Sequence, residues 1–440
     1  MQYSQFNSIV PLEDKYALYN SYSNKVILIE TDLKELLNAA IEEGVDNLEE
    51  VHPDFYHYLI ENEFLIEQEV NEVEKVKMDS TRVDENPNMF FLTINPTMNC
   101  NFKCWYCYET HIKKSKMEHS VLDSVNLFIK KTIRTPQINN FILSFFGGEP
   151  LLYFNQNVTP IIQTLISEIE KEKDNKKIHF NISFTTNGLL INEEFINFFL
   201  TNKLNVGLQI TFDGYKEEHD EVRYVSKTRG SYSNIVENIK KILSYDNFFV
   251  QARINYTDKN ICNAFKIVDD FTDISEYAKK NQLVFDFHRV WQNSKLDDVS
   301  EILLESCEKM KEKGFRTHIQ YTPNNVKDSC YADKRNSATI NYNGDIFKCT
   351  ARDFSQENRS GYLTQEGDLV WENDSLEKRM NAKFRNRPCL SCKILPLCNG
   401  GCTQHAVEHY EIDDDYCVYY GDESEKNKII YAKIEEILHV

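Results

Sequence analysis

Three cysteines fall within eight residues in Cys100-Asn-Phe-Lys-Cys104-Trp-Tyr-Cys107, a C-x3-C-x2-C spacing. Three thiolates on one short loop can hold three irons of a [4Fe–4S] cube and leave the fourth iron open to a substrate ligand. Structural zinc sites use four ligands in paired knuckles, so an odd triad suits zinc poorly. A second set follows towards the C-terminus. Cys330 and, after Gly344, Cys349 precede Cys389-x2-Cys392-x5-Cys398-x3-Cys402, and Cys417 closes the series. Of the 12 cysteines only Cys262 and Cys307 stand apart. Thiols clustered in this way in a reducing compartment read as metal or cluster ligands rather than disulfides. Cys307, on a helical pattern with Leu303, Leu304 and Met310, and Cys262, beside Ile261 and near Phe265, read as core thiols.

The elements that must position the triad are strands and helices in alternation. Apolar runs mark strands at Phe90–Asn95, Phe141–Phe146, His179–Phe184, Val206–Thr211, Phe249–Tyr256 and Leu283–Val290. Between them, helical faces form from Val121, Leu122, Val125, Phe128, Ile129 and Ile133, then from Ile161, Ile162, Leu165, Ile166 and Ile169, and later from Ile235, Val236, Ile239, Ile242 and Leu243. Six β/α units in about 200 residues predict a parallel sheet with helical crossovers, open or partly closed as a barrel. Chemistry in such α/β folds sits at the carboxyl ends of the strands. The triad directly follows the first strand. Gly147-Gly148-Glu149-Pro150 follows the second, Thr186-Asn187-Gly188 the third and Thr211-Phe212-Asp213-Gly214 the fourth, with Arg253-Ile254-Asn255 inside the fifth.

C-x3-C-x-aromatic-C, with Tyr106 as the aromatic, resembles the signature of radical S-adenosylmethionine enzymes, and the later strand-end pieces follow in that family's order. The resemblance implies a partial (β/α)6 radical SAM barrel. It also implies that Tyr106, Gly147, Gly148, Glu149, Pro150, Asn187, Thr211, Asp213 and Arg253 border S-adenosyl-L-methionine, with the GGEP loop at its amino group. Thr211, Asp213 and Arg253 read equally well as strand-end polar residues or salt bridges. The later cysteines resemble the seven-cysteine SPASM motif, whose domains hold two auxiliary [4Fe–4S] clusters. That carries Cys389, Cys392, Cys398 and Cys417 to the distal cluster, and Cys330, Cys349 and Cys402 to the nearer one, for three [4Fe–4S] clusters in all. A zinc ribbon is the alternative for Cys389–Cys402 on spacing alone. The nearer cluster lacks an obvious fourth ligand, since Pro323–Ser329 contains no cysteine and Cys307 reads as core. Its open iron would suit a substrate thiolate or amide nitrogen.

Ahead of the α/β region, Met1–Val76 carries 17 acidic residues against four Lys and no Arg, most of the formal charge of −19. Lys15–Ile29 reads as a hairpin turning at Ser21–Asn24. Helical stretches near Asp32–Glu43 and Pro53–Glu61 follow, then a short strand at Phe64–Val70. This order resembles the winged-helix precursor-recognition element of peptide maturases, which receives a leader peptide by strand addition; a solvated acidic cap is the alternative. The expected organisation is 1–76 winged-helix-like module, 77–89 linker, 90–300 radical SAM core, 301–324 bridging region, 325–422 SPASM domain and 423–440 C-terminal helix. A hydrophobic fraction of 41% excludes a disordered chain. The acidity argues against electrostatic capture of nucleic acid. No apolar run spans a bilayer and no signal sequence opens the chain, so a cytoplasmic protein without membrane attachment is expected.

Three function classes follow. The first is a peptide-modifying radical SAM oxidoreductase that installs a thioether or carbon–carbon cross-link on a ribosomally made precursor. It would draw electrons from a donor such as flavodoxin or ferredoxin. The second is a sulfatase-maturating type of oxidation. That branch carries an Asp directly after the second SPASM cysteine, where this chain has Thr350. The third is a non-catalytic iron–sulfur or zinc protein, which leaves GGEP and the open triad without a use. No residue is nominated as catalytic base.

Overall fold

The turn residues between Lys15 and Ile29 close the hairpin that the alternation predicts, and it becomes part of a larger sheet. In the computed structural model, which describes residues 1–226, 228–290, 292, 299–319, 325–409, 415–419 and 421–438, the chain divides into two units. One is Met1–Asn86 with Tyr321–Arg335 and Leu376–Val440, and the other is Pro87–Gln320 with Asn336–Ser375. Pro323 and Asn324, which belong to the expected bridging region, lie outside the described residues.

In the first unit β1 (Gln2–Tyr3) pairs with β5 (Leu65–Ile66), while β2 (Asn7–Leu12), β3 (Lys15–Asn20) and β4 (Lys25–Ile29) form an antiparallel sheet in that order. Asn24 takes φ 58° in the hairpin turn, a left-handed conformation that asparagine accepts readily. Strand β2 is an addition to the expected elements. Pro11 argues against a strand there, but β2 is an edge, where a missing N–H costs no ladder bond. Helices span Thr31–Glu43 and Pro53–Glu61, and Leu37, Phe55, Leu59 and Phe64 pack with Leu18 beneath the sheet. The strand expected at Phe64–Val70 is reduced to Leu65–Ile66.

The expected linker at 77–89 is corrected. Glu72–Asp84 is a helix, capped by Asn71, whose Oδ1 accepts from Glu74 N at 3.1 Å. Its buried face is Val76, Ser80 and Asp84, so two of three inward residues are polar and hydrophobic periodicity misses it. What this face meets is charge. Asp84 accepts from Ser329 Oγ and from Lys383 Nζ at 2.7 Å, and Lys383 also reaches Asp333 at 3.0 Å. Burial opposes ionisation of Asp333, but Lys383 and Arg379 outweigh it and hold the carboxyl below its ordinary range. The opposite face of the β2–β4 sheet contributes Val10, Ala17 and Tyr19 to a core with Ile394, Leu397, Ile429 and Ile430. Residues 1–76 therefore share a core with the helix Glu423–Leu438 instead of standing apart from it.

In the second unit, β6 (Met89–Asn95), β7 (Asn140–Phe145), β8 (His179–Thr186), β9 (Val206–Phe212), β12 (Phe248–Tyr256) and β13 (Leu283–Arg289) are the six expected strands, all parallel and adjacent in that order. A small hairpin, β10 (Tyr224–Ser226) and β11 (Arg229–Gly230), lies between β9 and β12 in the chain. The sheet extends beyond the expected six. β14 (Arg316–Ile319) joins β13 in parallel, and β15 (Ser337–Asn341) joins β6 in parallel. β16 (Asp345–Phe347), β17 (Gly361–Leu363) and β18 (Leu369–Trp371) continue antiparallel, giving eleven strands. The helices His119–Arg134, Thr159–Glu172 and Tyr232–Ile242 bury the apolar faces read from the sequence. The back of the sheet is sealed by aromatic packing, with Phe145 stacked on Phe184 at 4.9 Å and Phe195 and Phe199 beside them. Among the described residues no helix is long and apolar enough to cross a membrane.

The charge network in the first unit yields a prediction. Lys383→Met leaves the buried carboxylates of Asp84 and Asp333 without their shared cation. It should lower unfolding stability by about 3 kcal/mol, read by urea titration with circular dichroism.

Candidate active site

Beyond β6 the chain runs through Pro96–Asn99 into the cysteine loop, and the hydroxyls of Thr97 and Ser115 pin this exit. Thr97 Oγ1 donates to Ser115 O at 2.6 Å, Met98 N donates to Ser115 Oγ at 2.9 Å, and Asn99 N donates to Thr97 Oγ1 at 2.8 Å. The glycine loop after β7 lies directly against it. Gly148 takes φ 45°, and a Cβ there would sit 2.3 Å from Asn99 O, so only glycine permits this approach.

Glu149 is fully buried, and its carboxylate is consumed by backbone and hydroxyl donors. Oε1 accepts from Leu151 N at 3.0 Å and Thr186 Oγ1 at 2.7 Å, and Oε2 accepts from Asn187 N at 2.8 Å. It thereby locks the turn after β7 to the end of β8. Burial raises its pKa, and these three donors work in the opposite direction. Asn187 carries the tie onward, donating from Nδ2 to Asn101 Oδ1 at 2.7 Å inside the cysteine loop. Glu109, two residues past Cys107, accepts from Gly148 N at 2.7 Å, and burial pushes its carboxyl up to about 7. The amides of Gly148 and Glu149 are engaged by Glu109 and Asn99 O, so neither is left to donate to a ligand.

Tyr106 is the hub on the other side. Its hydroxyl donates to Asp213 Oδ1 at 2.6 Å and accepts from Arg223 at 2.7 Å and Asn255 Nδ2 at 3.0 Å. Arg223 also pairs with Asp213 through Nε. Arg253 Nε donates to Asn255 Oδ1 at 2.9 Å, extending the chain of bonds to β12. Burial lowers the Arg253 pKa from its ordinary value. His219, fully buried behind Asp213 and bonded to Ser231 Oγ at 3.0 Å, is held neutral by burial and by the nearby Arg223 charge. One cavity opens among these groups at the carboxyl ends of the strands. Cys100, Cys104, Cys107, Gly147, Gly148, Asn187, Thr211 and Arg253 all line it.

Residues 94–252 match the Radical SAM superfamily. The chain carries a radical SAM domain. It is 24% identical over 376 residues to a cysteine-type anaerobic sulfatase-maturating enzyme of Clostridium novyi, covering 76% of this chain and 94% of that protein. It is 23% identical over 442 residues to the radical SAM cyclopropyl synthase TigE of Paramaledivibacter caminithermalis, covering 90% and 88%. Among solved structures, Streptococcus suis SuiB bound to S-adenosylmethionine superposes with TM-score 0.55 at 14% identity, over 96% of this chain and 100% of that one. SuiB bound to precursor peptide SuiA superposes with TM-score 0.52 at 14% identity, over 91% and 95%.

The donor set of this radical SAM domain fits a thiolate-ligated cluster. All twelve cysteines are free thiols, and the triad supplies the three that line the cavity. Burial pushes Cys100 up to about 12 and Cys107 up to about 11 and raises Cys104. Desolvated thiols of this kind become thiolates when a metal compensates the charge. Among the described residues Cys107, Glu109 and His111 also gather within 4.8 Å of one another, but Glu109 is committed to Gly148.

In the first unit, Cys389, Cys392, Cys398 and Cys417 line a second cavity with Tyr416, Tyr419 and Lys426. Burial raises Cys392 and Cys398 and pushes Cys389 up to about 11, and Asn386 donates to Cys389 Sγ at 3.0 Å. Cys330 and Cys402 belong to the same unit and Cys349 to the other. Cys307 is buried on the helix Ser300–Glu312, as expected of a core thiol. Cys262 is exposed, contrary to expectation, because the short helix Ile261–Ala264 turns Ile261 and Ala264 inward and Cys262 out.

Arg223, Glu109 and Asn255 escaped the sequence reading as individual residues of the site. Asn255 was visible only as part of Arg253-Ile254-Asn255. Arg223 and Glu109 lie in loops without strand-end spacing, so nothing in the local pattern distinguishes them from surface charges. Because Glu149 joins two strand ends through three accepted bonds, Glu149→Gln places an amide against N–H donors. It should cost about 2 kcal/mol of stability, read by urea unfolding of the iron-free protein.

Proposed function

We propose that this radical SAM enzyme is a peptide maturase that cross-links a ribosomally made precursor carrying a leader. The observation that carries the reading is the cavity shared by the cysteine triad, Gly147, Gly148, Thr186, Asn187 and Arg253, with Glu149 buried behind it. A bound [4Fe–4S] cluster and adenosylmethionine would together supply radical chemistry at an unactivated C–H bond. Cys100, Cys104 and Cys107 would hold the cluster. The glycine loop borders the cofactor's amino group, and Arg253, which makes no ion pair among the described residues, binds its carboxylate. Tyr106 fixes the cysteine loop against Asp213 and Arg223. Glu149 and Asn187 keep the strand ends in register.

By the same resemblance, Cys389, Cys392, Cys398 and Cys417 hold one auxiliary cluster, and Cys330, Cys349 and Cys402 serve another. The three-stranded sheet of the first unit offers the edge of β4, with Leu28 48% exposed on it, to an incoming leader strand. Similarity to SuiB over nearly the whole chain supports this reading over sulfatase maturation, as does Thr350 in place of an acidic residue.

Anaerobic reconstitution should give about twelve irons per chain. Replacing Cys100, Cys104 and Cys107 by Ala should remove about a third of that iron and abolish 5′-deoxyadenosine formation. A zinc-loaded colourless protein would refute the assignment. Leu28→Glu should weaken binding of a leader-bearing precursor peptide by about tenfold, read by calorimetry, with peptide-independent 5′-deoxyadenosine formation within twofold of the parent.

A further inference from the structure

The segment that follows the cysteine triad breaks the charge pattern of the chain. In a protein of formal charge −19, residues 103–116 hold Lys103, Lys113, Lys114 and Lys116 against the single acid Glu109. Lys103, Lys113 and Lys114 are exposed and Lys116 is half-buried. Among the described residues none of the four forms an ion pair, whereas lysines elsewhere on the chain, such as Lys131, Lys171 and Lys313, do. The neighbouring acids are occupied. Glu109 accepts from Gly148 N, and Asp353 accepts from Thr110 N at 2.7 Å and Thr110 Oγ1 at 2.8 Å. Glu118 is the first exposed acid after the segment.

Two large apolar side chains share this surface. Trp105 is 61% exposed and Ile112 is 43% exposed. The backbone beneath them is held firmly, since Ile112 N donates to Met98 O at 3.0 Å and Ser115 N donates to Ile112 O at 3.1 Å. Of the three cluster cysteines, Cys107 alone is exposed. Cys107 lines the strand-end cavity with Cys100 and Cys104, and the basic, apolar residues belong to the same stretch of chain as this triad. Unpaired lysines around an exposed tryptophan make a surface complementary to an acidic protein.

Resting on the radical SAM reading above, we propose that Lys103, Lys113, Lys114 and Lys116, with Trp105 and Ile112, form the docking face for a small acidic one-electron carrier protein. One electron leaves the carrier's reduced cofactor and enters the cluster held by Cys100, Cys104 and Cys107. The carrier departs oxidised by one electron, with no bond or proton exchanged.

The test uses the full-length reconstituted enzyme with an acidic flavodoxin, and compares it with photoreduced deazaflavin, a small reductant that needs no docking. Lys103→Glu/Lys113→Glu/Lys114→Glu should weaken the calorimetric Kd for oxidised flavodoxin at least about tenfold at low salt. Flavodoxin-driven 5′-deoxyadenosine formation should fall in parallel, and deazaflavin-driven formation should stay within twofold. Lys113→Gln/Lys114→Gln, a milder change, should lose affinity in the same direction. Added salt should weaken the parent's binding and leave the charge-reversed variant's nearly flat. Unchanged flavodoxin affinity, an equal loss with both reductants, or a loss confined to acidic peptide binding would each overturn the proposal. Absence of 5′-deoxyadenosine from the parent enzyme with deazaflavin would instead refute the catalytic reading, while the binding measurement would still report on this surface.

Discussion

A single buried carboxylate organises the site. Glu149 sits where β7 ends, and its two oxygens accept from the chain two residues on and from both Thr186 and Asn187 across the sheet. A carboxylate is costly to bury unless donors surround it, and here the donors are the Thr186 hydroxyl and the backbone amides of Asn187 and Leu151. The bonds that repay desolvation are thus the bonds that shape the cavity. Asn187 then reaches Asn101 in the cysteine loop, so the position of the thiols follows from the same anchor. Gly148 completes the arrangement, because no side chain fits between it and Asn99 O.

A second constraint is charge balance on the far side of the cavity. Asp213 and Arg223 are both nearly sealed from solvent, and each would be strongly destabilising alone. Tyr106 bonds to both, so the residue that precedes the third cysteine is also the cap on a buried ion pair. This explains a polar aromatic there better than packing does. Phenylalanine would fill the volume but leave Asp213, Arg223 and Asn255 each short of a partner. Arg253, held only by Asn255 among the described residues, remains a cation with charge to offer a ligand.

The six central strands and their helices were legible because each follows one periodicity, buried on an apolar face and turned by a polar strand end. The cysteine groups were legible from spacing. What escaped was polar burial. The helix Glu72–Asp84 hides because Ser80 and Asp84 face inward towards Ser329 and Lys383, partners some 245 and 299 residues away in the chain. Arg223 hides for the same reason, since its partners Tyr106 and Asp213 reveal themselves only when β9 is placed beside the cysteine loop. The extra strands β14 to β18 are short, and several join by pairing that no local pattern announces. Cys262 shows the limit of reading neighbours as environment: Ile261 is buried and the next residue points out.

The first unit is assembled from distant stretches of the chain, and its cores show why they belong together. Val10, Ala17 and Tyr19 pack with Ile394, Leu397 and Cys398, and Cys392 lies at the edge of the same cluster. The N-terminal sheet is thus a wall of the region that carries the four clustered thiols. Truncating the first 76 residues would uncover Ile394, Leu397 and Ile430 and disturb the packing of Cys398, so loss of iron after such a deletion would say nothing about peptide docking. Substitutions on the exposed edge of β4 avoid this, because Leu28 faces solvent while its neighbour Ile29 is buried. The two roles proposed for this unit are therefore separable by changing one face of a single strand, but not by cutting the chain between them.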